Sequence, residues 1–418
     1  MSRTYVPHLS RMRRAVLELP GKAGGSGGGG VYLTEPLAPR VYCKRKPFPH
    51  ARAAHERVLR KIGARPKRIC VSPMLGRRTW PSKTRLAAGE IFPMELEIRP
   101  GPLGTRGGEP FPEVREEMAR MQKARRVMPP SLMRWIPNRL IVKLMRRMMG
   151  FPNRDIATGK VATRHLSIPG PQGEIPVRIY TPEGVDLPIL LYFHGGGWVG
   201  GSVDCVENIG RGIADRGGHI VVNVDYRLAP EHKFPAGLED CYAAVEWAAQ
   251  HASELGGDPT HLVVAGDSAG ANFATVCCLL AHERGGPPIS QQVLIYPGVD
   301  LSGRHDEEHG PQEGSGGMNL GSFMASVYVD RPEQLADPRC SPWLAKDVSF
   351  MPPALILTAE YCFIRDQGEA YAKKLAAEGV TTRVIRYNGL NHAFLDKVGV
   401  WDYADACIED IADALGRH

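Results

Sequence analysis

The residues best placed to do chemistry are Gly266-Asp267-Ser268-Ala269-Gly270. Four apolar residues, Leu262 to Ala265, lead into them, and a helical pattern through Phe273, Val276 and Leu279-Leu280 follows. That order predicts a strand, a tight turn and a helix, with the Ser268 hydroxyl raised above the sheet edge where it can attack a carbonyl. Gly266 and Gly270 suit a corner in which helix and strand approach too closely for side chains. A serine hydroxyl is a poor nucleophile at neutral pH and needs a base. His392 follows a predicted strand at 381–387, in a loop before the last helix, which is where a Ser, acid, His chain order puts the base. A third requirement is a set of donors for the oxyanion. The strand Ile189 to Phe193 runs into His194-Gly195-Gly196-Gly197-Trp198, and successive glycines let backbone N–H groups turn toward one point.

The elements that position these groups can be read in order. Strands are predicted at 161–168, 174–181, 188–193, 219–224, 261–265, 291–296, 354–359 and 381–387, and helices at 204–216, 236–252, 269–284, 366–378 and 401–415. Pro169 to Gly173 reads as a hairpin turn, whereas the later strands are separated by helices, as parallel pairing requires. The fold class is therefore α/β: an eight-stranded, mostly parallel sheet with helices on both faces. Upstream lie two helical stretches, 113–127 and 131–149, separated by Pro129-Pro130. The second carries Leu132, Trp135, Ile136, Leu140, Ile141, Leu144, Met145 and Met148 at helical spacing. It reads either as an amphipathic helix on a core or as an apolar cap over a pocket, where Met adapts to varied acyl chains. The segment 301–350 interrupts the alternation and is expected to add a second piece of cap at 320–328.

Charge divides the chain. Residues 1–93 hold 20 Lys and Arg against 4 Asp and Glu, and the remainder holds 32 against 41. The net +7 thus belongs to the N-terminus, and no helix-turn-helix or basic aromatic face argues for nucleic acid. Residues 1–110, rich in Arg, Pro and Gly, read as a mostly disordered extension, 111–155 as the helical cap and 156–418 as the catalytic domain. The Arg-rich, acid-poor start has transit-peptide composition, and a start at Met94 or Met118 fits the same pattern. No run approaches the roughly 18 apolar residues of a membrane span. Nine scattered cysteines without zinc-ligand spacing suggest thiols in a reducing, cytoplasmic setting and no metal. Neither a Walker loop nor a dinucleotide fingerprint occurs, so no cofactor is expected. The expected partner is a small molecule that offers Ser268 a carbonyl, and assembly as a homodimer is left open.

Over roughly residues 110–416 the chain resembles the hormone-sensitive lipase-type branch of the α/β-hydrolase carboxylesterases. The resemblance rests on the glycine loop at 194–198, Asp225-Tyr226-Arg227-Leu228-Ala229-Pro230-Glu231, the 266–270 turn, Leu294-Ile295-Tyr296-Pro297 and Asn391-His392-Ala393-Phe394, in the family's order and spacing. It implies an α/β-hydrolase fold with an N-terminal helical cap, Ser268 as nucleophile and His392 as base. It also implies an oxyanion hole from the N–H groups of Gly196, Gly197 and Ala269, and action on short- to medium-chain esters. An amidase or lactonase would use the same machinery. The family's acid segment, Glu-Tyr-Asp-Pro-Leu-Arg-Asp, is here Glu360-Tyr361-Cys362-Phe363-Ile364-Arg365-Asp366, so Cys362 stands at the acid position. Asp366, one helical turn on, and Asp300, beyond the strand ending at Tyr296, are the substitutes to weigh, with Asp366 favoured for sharing the loop. If neither serves, a ligand-binding member of the fold with weakened turnover is the alternative reading.

Overall fold

The computed structural model describes residues 94–101, 108–127, 136–150, 152–309 and 320–417. Residues 1–93, with the targeting-like start, lie outside the described residues. So do 128–135, which include Pro129-Pro130 and the beginning of the second predicted helix.

The described chain runs β1 (Glu95–Arg99), α1 (Pro112–Val127), α2 (Asn138–Met148), β2 (Val161–Gly170), β3 (Gly173–Pro182), β4 (Leu187–Phe193), α3 (Glu207–Gly217) and β5 (Ile220–Val224). It continues through α4 (Ala236–Gln250), α5 (Ala252–Leu255), β6 (Gly257–Asp267), α6 (Ala269–Arg284), β7 (Gln291–Ile295), α7 (Arg304–His309) and α8 (Leu320–Tyr328). The last elements are β8 (Ala354–Tyr361), α9 (Arg365–Ala377), β9 (Thr382–Asn391) and α10 (Asp402–Leu415). One sheet has the order β1-β9-β8-β7-β6-β4-β5-β3-β2. Only the β2–β3 and β3–β5 pairs are antiparallel.

The sheet has nine strands where eight were expected. The additional strand, β1, pairs in parallel with β9 from Glu95↔Arg383 to Arg99↔Tyr387. It falls inside the stretch read as a disordered extension, which is corrected there. Arg99 Nε donates to Asp410 at 2.8 Å and Arg383 Nε to Glu97 at 2.6 Å, so ion pairs fasten the middle and the C-terminal end of an edge strand too short to signal itself.

Alternation along β4 explains the layering. Ile189, Leu191 and Phe193 face one core with α4, α6 and Tyr371, Ala372 and Leu375 of α9. Leu190 and Tyr192 face the other with α3 and α10. Both faces are covered, as a parallel sheet requires, and the strands read as continuous apolar runs for that reason. The C-terminal ends of β4, β6, β8 and β9 lie along one edge of the sheet, with β7 between β6 and β8, and each of the four ends in a residue group singled out by its chemistry.

Candidate active site

At the end of β6, Ser268 has φ +54° and ψ −114°, a conformation uncommon outside glycine. Its N–H donates to Ile295 O at 2.8 Å, which holds the corner open. A Cβ on Gly270 would run into the carbonyl of Phe193, and one on Gly266 into Gly270 itself. This is why the turn takes only glycine at these two positions. The hydroxyl is delivered to the sheet edge, and Ala269 begins α6, where a helix's first N–H groups have no partner within the helix.

Beside it the glycine loop leaves β4. Gly196 has φ +126° and Gly197 φ +62°. Asp267 anchors the loop from below: its Oδ1 accepts from Gly195 N at 2.9 Å and from Tyr192 Oη at 3.0 Å. Burial raises the Asp267 carboxyl to about 6. His194 is buried, stacked on Tyr226 with ring centroids 4.2 Å apart, and Tyr226 Oη donates to His194 O at 2.6 Å. The Asp225–Glu231 loop therefore braces the glycine loop rather than entering the site. Arg146 on α2 adds a second brace, donating to Val199 O at 2.6 Å and Ala229 O at 2.9 Å while pairing with Glu231 at 2.7 Å. Nothing in the spacing of Arg146 singles it out among the basic residues of that helix.

His392 follows β9 directly, and its position is fixed from three sides. Nε2 lies 2.9 Å from Ser268 Oγ, and Nδ1 lies 3.0 Å from Cys362 Sγ. The rings of Tyr296 and Phe363 are centred 4.8 Å and 4.7 Å from the imidazole. Burial first, and the Lys397 ammonium second, hold the imidazole down to about 4. Lys397 is itself buried and paired with Glu117 of α1 at 3.1 Å.

Cys362 is fully buried, and that burial pushes its thiol up to about 12, so it is the neutral thiol that faces the imidazole. The two candidate carboxylates are engaged elsewhere. Asp366 Oδ1 takes the Arg365 guanidinium at 2.7 Å. Asp300 accepts from Ser302 N at 2.9 Å, Ser302 Oγ at 2.6 Å and His305 N at 2.7 Å, so it folds its own loop. Ser268, His392 and Cys362 are thus brought together, and Asp366 and Asp300 are not among the groups on the imidazole. Two further side chains border the site without a sequence signal of their own. Met324 of α8 fills the space a Gly197 Cβ would enter, and Phe363 lies on the imidazole.

No group of three or more His, Cys, Asp or Glu side chains that could hold a metal ion occurs among the described residues. No described helix is long and apolar enough to cross a membrane.

Residues 190–396 match the profile of a family described as alpha/beta hydrolase fold. The chain is 39% identical over 263 residues to Carboxylic ester hydrolase LipN of Mycobacterium tuberculosis, covering 60% of this chain and 69% of that protein. It is 40% identical over 235 residues to Carboxylesterase NlhH of the same organism, covering 53% and 72%. The solved hyperthermophilic esterase from Pyrobaculum calidifontis superposes with a TM-score of 0.60 at 36% identity, over 74% of this chain and 98% of that one. With the strand–turn–helix at Ser268, the glycine loop and the covered parallel sheet, these likenesses establish that the chain belongs to the α/β-hydrolases, in their hormone-sensitive lipase-type carboxylesterase branch.

Proposed function

We propose that this chain is a serine carboxylesterase acting on short- to medium-chain carboxylic esters through an acyl-enzyme, with Ser268 as nucleophile and His392 as base. The observation that carries the reading is the 2.9 Å Ser268 Oγ to His392 Nε2 approach at a strained turn beside the glycine loop. Oγ attacks the ester carbon as its proton passes to Nε2, and the carbonyl oxygen becomes an oxyanion facing the N–H groups of Gly196, Gly197 and Ala269. Collapse breaks the bond to the leaving oxygen, which takes the proton from Nε2. Water then repeats the sequence on the acyl-enzyme and frees the acid and Ser268.

For Nε2 to accept from serine, the neutral imidazole carries its proton on Nδ1, directed at Cys362 Sγ. A thiol sulfur accepts weakly and stabilises the imidazolium little. A second reading draws on the same contact: a member of the fold that binds esters and acylates but turns over slowly. The cap reading also belongs here. Residues 111–155 and α8 are proposed to cover the pocket, supported by the Arg146 brace, by Met324 on Gly197 and by the exposed Leu140 and Leu144 of α2. A reducing compartment is proposed on the thiols: none of the seven cysteines among the described residues is in a disulfide.

The test is stoichiometric labelling of Ser268 by a fluorophosphonate, together with hydrolysis of p-nitrophenyl acetate and butyrate. Ser268→Ala is expected to abolish both while the protein stays folded. Turnover that survives in that variant would overturn the nucleophile assignment. Full labelling with negligible turnover would favour the second reading.

A further inference from the structure

Phe363 is the one exposed phenylalanine among the described residues, with 37% of its surface accessible. Single exposed apolar side chains are ordinary, so exposure alone carries no argument. Its place does. It follows Cys362 in the turn between β8 and α9, and its ring centroid lies 4.7 Å from that of His392 with the planes inclined at 50°. The imidazole therefore has a buried aromatic neighbour, Tyr296, and an exposed one that solvent or a ligand can reach.

The reaction assigns that exposed face to one half of the substrate, and this step rests on the acyl-enzyme reading above. The proton that Nε2 takes from Ser268 must reach the leaving oxygen, so that oxygen passes within hydrogen-bond distance of Nε2, about 3 Å. The carbon skeleton attached to it then continues alongside the imidazole, within reach of the Phe363 ring. The carbonyl oxygen, by contrast, sits at the glycine loop, where the bordering side chain is Met324. The two walls differ in kind. A thioether with three rotatable bonds adapts to different shapes, whereas a phenyl ring presents a fixed face and edge.

We propose that Phe363 is a specificity-determining residue for the alcohol half of the ester, favouring leaving groups that carry an aromatic ring at or one carbon from the ester oxygen. Such a ring can meet Phe363 in an offset or edge-to-face arrangement, worth about 3- to 10-fold in kcat/KM over a leaving group without one.

The experiment uses the full chain with phenyl, benzyl and ethyl acetates, and phenyl butyrate as an acyl-side control. Wild type is compared with Phe363→Ala, Phe363→Leu and Phe363→Tyr, and active sites are counted by fluorophosphonate. Each variant is compared with wild type on the same substrate, which cancels the intrinsic reactivity of the esters. Phe363→Ala and Phe363→Leu are expected to lose about 3- to 10-fold in kcat/KM on phenyl and benzyl acetate and less than about 2-fold on ethyl acetate. Phe363→Tyr should keep wild-type selectivity, and the ratio of phenyl butyrate to phenyl acetate should not move. Equal losses on all leaving groups, no loss on any, or a change confined to acyl-chain preference would overturn the proposal. Failure of the wild type to label at Ser268 would instead overturn the reading beneath it.

Discussion

Cys362 Sγ lies 3.0 Å from His392 Nδ1, so a buried neutral thiol occupies the place where the resembling family writes an aspartate. The thiol brings no negative charge to the base. A carboxylate would stabilise the imidazolium that forms when Ser268 attacks, whereas here burial first, and the Lys397 ammonium second, hold the imidazole down to about 4. Neutral imidazole is the catalytic form, and it persists as pH falls until that value is approached. The acid limb of kcat/KM is therefore expected near pH 4 rather than near the unperturbed histidine value of about 6.5. A limb at 6 to 7 in a pH profile of p-nitrophenyl acetate hydrolysis would contradict it.

Cys362→Asp supplies the missing charge. An opposite charge favours protonated imidazole, so the acid limb should move to higher pH, and kcat should rise by up to about 10³- to 10⁴-fold, the scale of losing the acid's function in a serine-protease triad. Both shifts are read from one pH–rate series. If kcat stays flat while the limb moves, the carboxylate has reached the imidazole but proton transfer does not limit turnover.

Asp366→Asn and Asp300→Asn test the two carboxylates first weighed as substitutes. Asp366 is held by Arg365 and Asp300 by the backbone of Ser302 and His305, so each variant should keep kcat within a few-fold. Asp300→Asn should cost about 1 kcal/mol in denaturant unfolding, because an amide can replace only part of its set of accepted bonds. A loss of orders of magnitude in kcat for either variant would identify the working acid.

In the oxyanion loop, Gly197→Ala combines a positive φ of +62° with a collision against Met324 Sδ. The loop must shift, carrying an N–H away from the oxyanion, and kcat should fall about 10²-fold or more. Adding Met324→Ala removes the collision but not the backbone strain. The double variant should therefore recover thermal stability more than kcat, and equal recovery of both would place the damage in packing alone.

Much of this arrangement was legible before any coordinates, because it is encoded locally. The turn at Ser268 shows itself in two glycines between an apolar strand and a helix, and helix α6, Ala269–Arg284, has the bounds read for it. His392 shows itself by chain order. What stayed hidden depends on partners distant in sequence. Arg146 braces Val199 from 53 residues away, and a basic residue in a basic helix gives no sign of that. The thiol at 362 could be recognised as out of place through resemblance, but its contact with Nδ1 depends on how β8 and β9 bring their ends together. Strand β1 is the plainest case. Glu95 to Arg99 alternates over only five residues inside a Gly- and Pro-rich basic stretch, and its Glu97 finds Arg383 286 positions on.

That edge strand carries the last prediction, which compares a chain beginning at Met94 with one beginning at Gly101. The two differ by β1 and its flanks. Losing β1 strips the parallel partner from Arg383 to Tyr387 of β9 and leaves Arg383 without Glu97 and Asp410 without Arg99. An unpaired strand edge is a template for pairing with another chain. The net loss from a few ladder hydrogen bonds, at about 0.5–1.5 kcal/mol each, is about 2–5 kcal/mol. The shorter chain should melt about 3–7 °C lower and aggregate at a lower protein concentration. β1 is held by β9 and by Asp410 of α10, and the strands that carry Ser268 and the glycine loop lie further across the sheet, so activity per fluorophosphonate-reactive site should be equal in the two chains at 25 °C. Equal melting temperatures would show that β9 needs no partner at this edge, and unequal activity per reactive site would tie β1 to the position of His392 at the far end of β9.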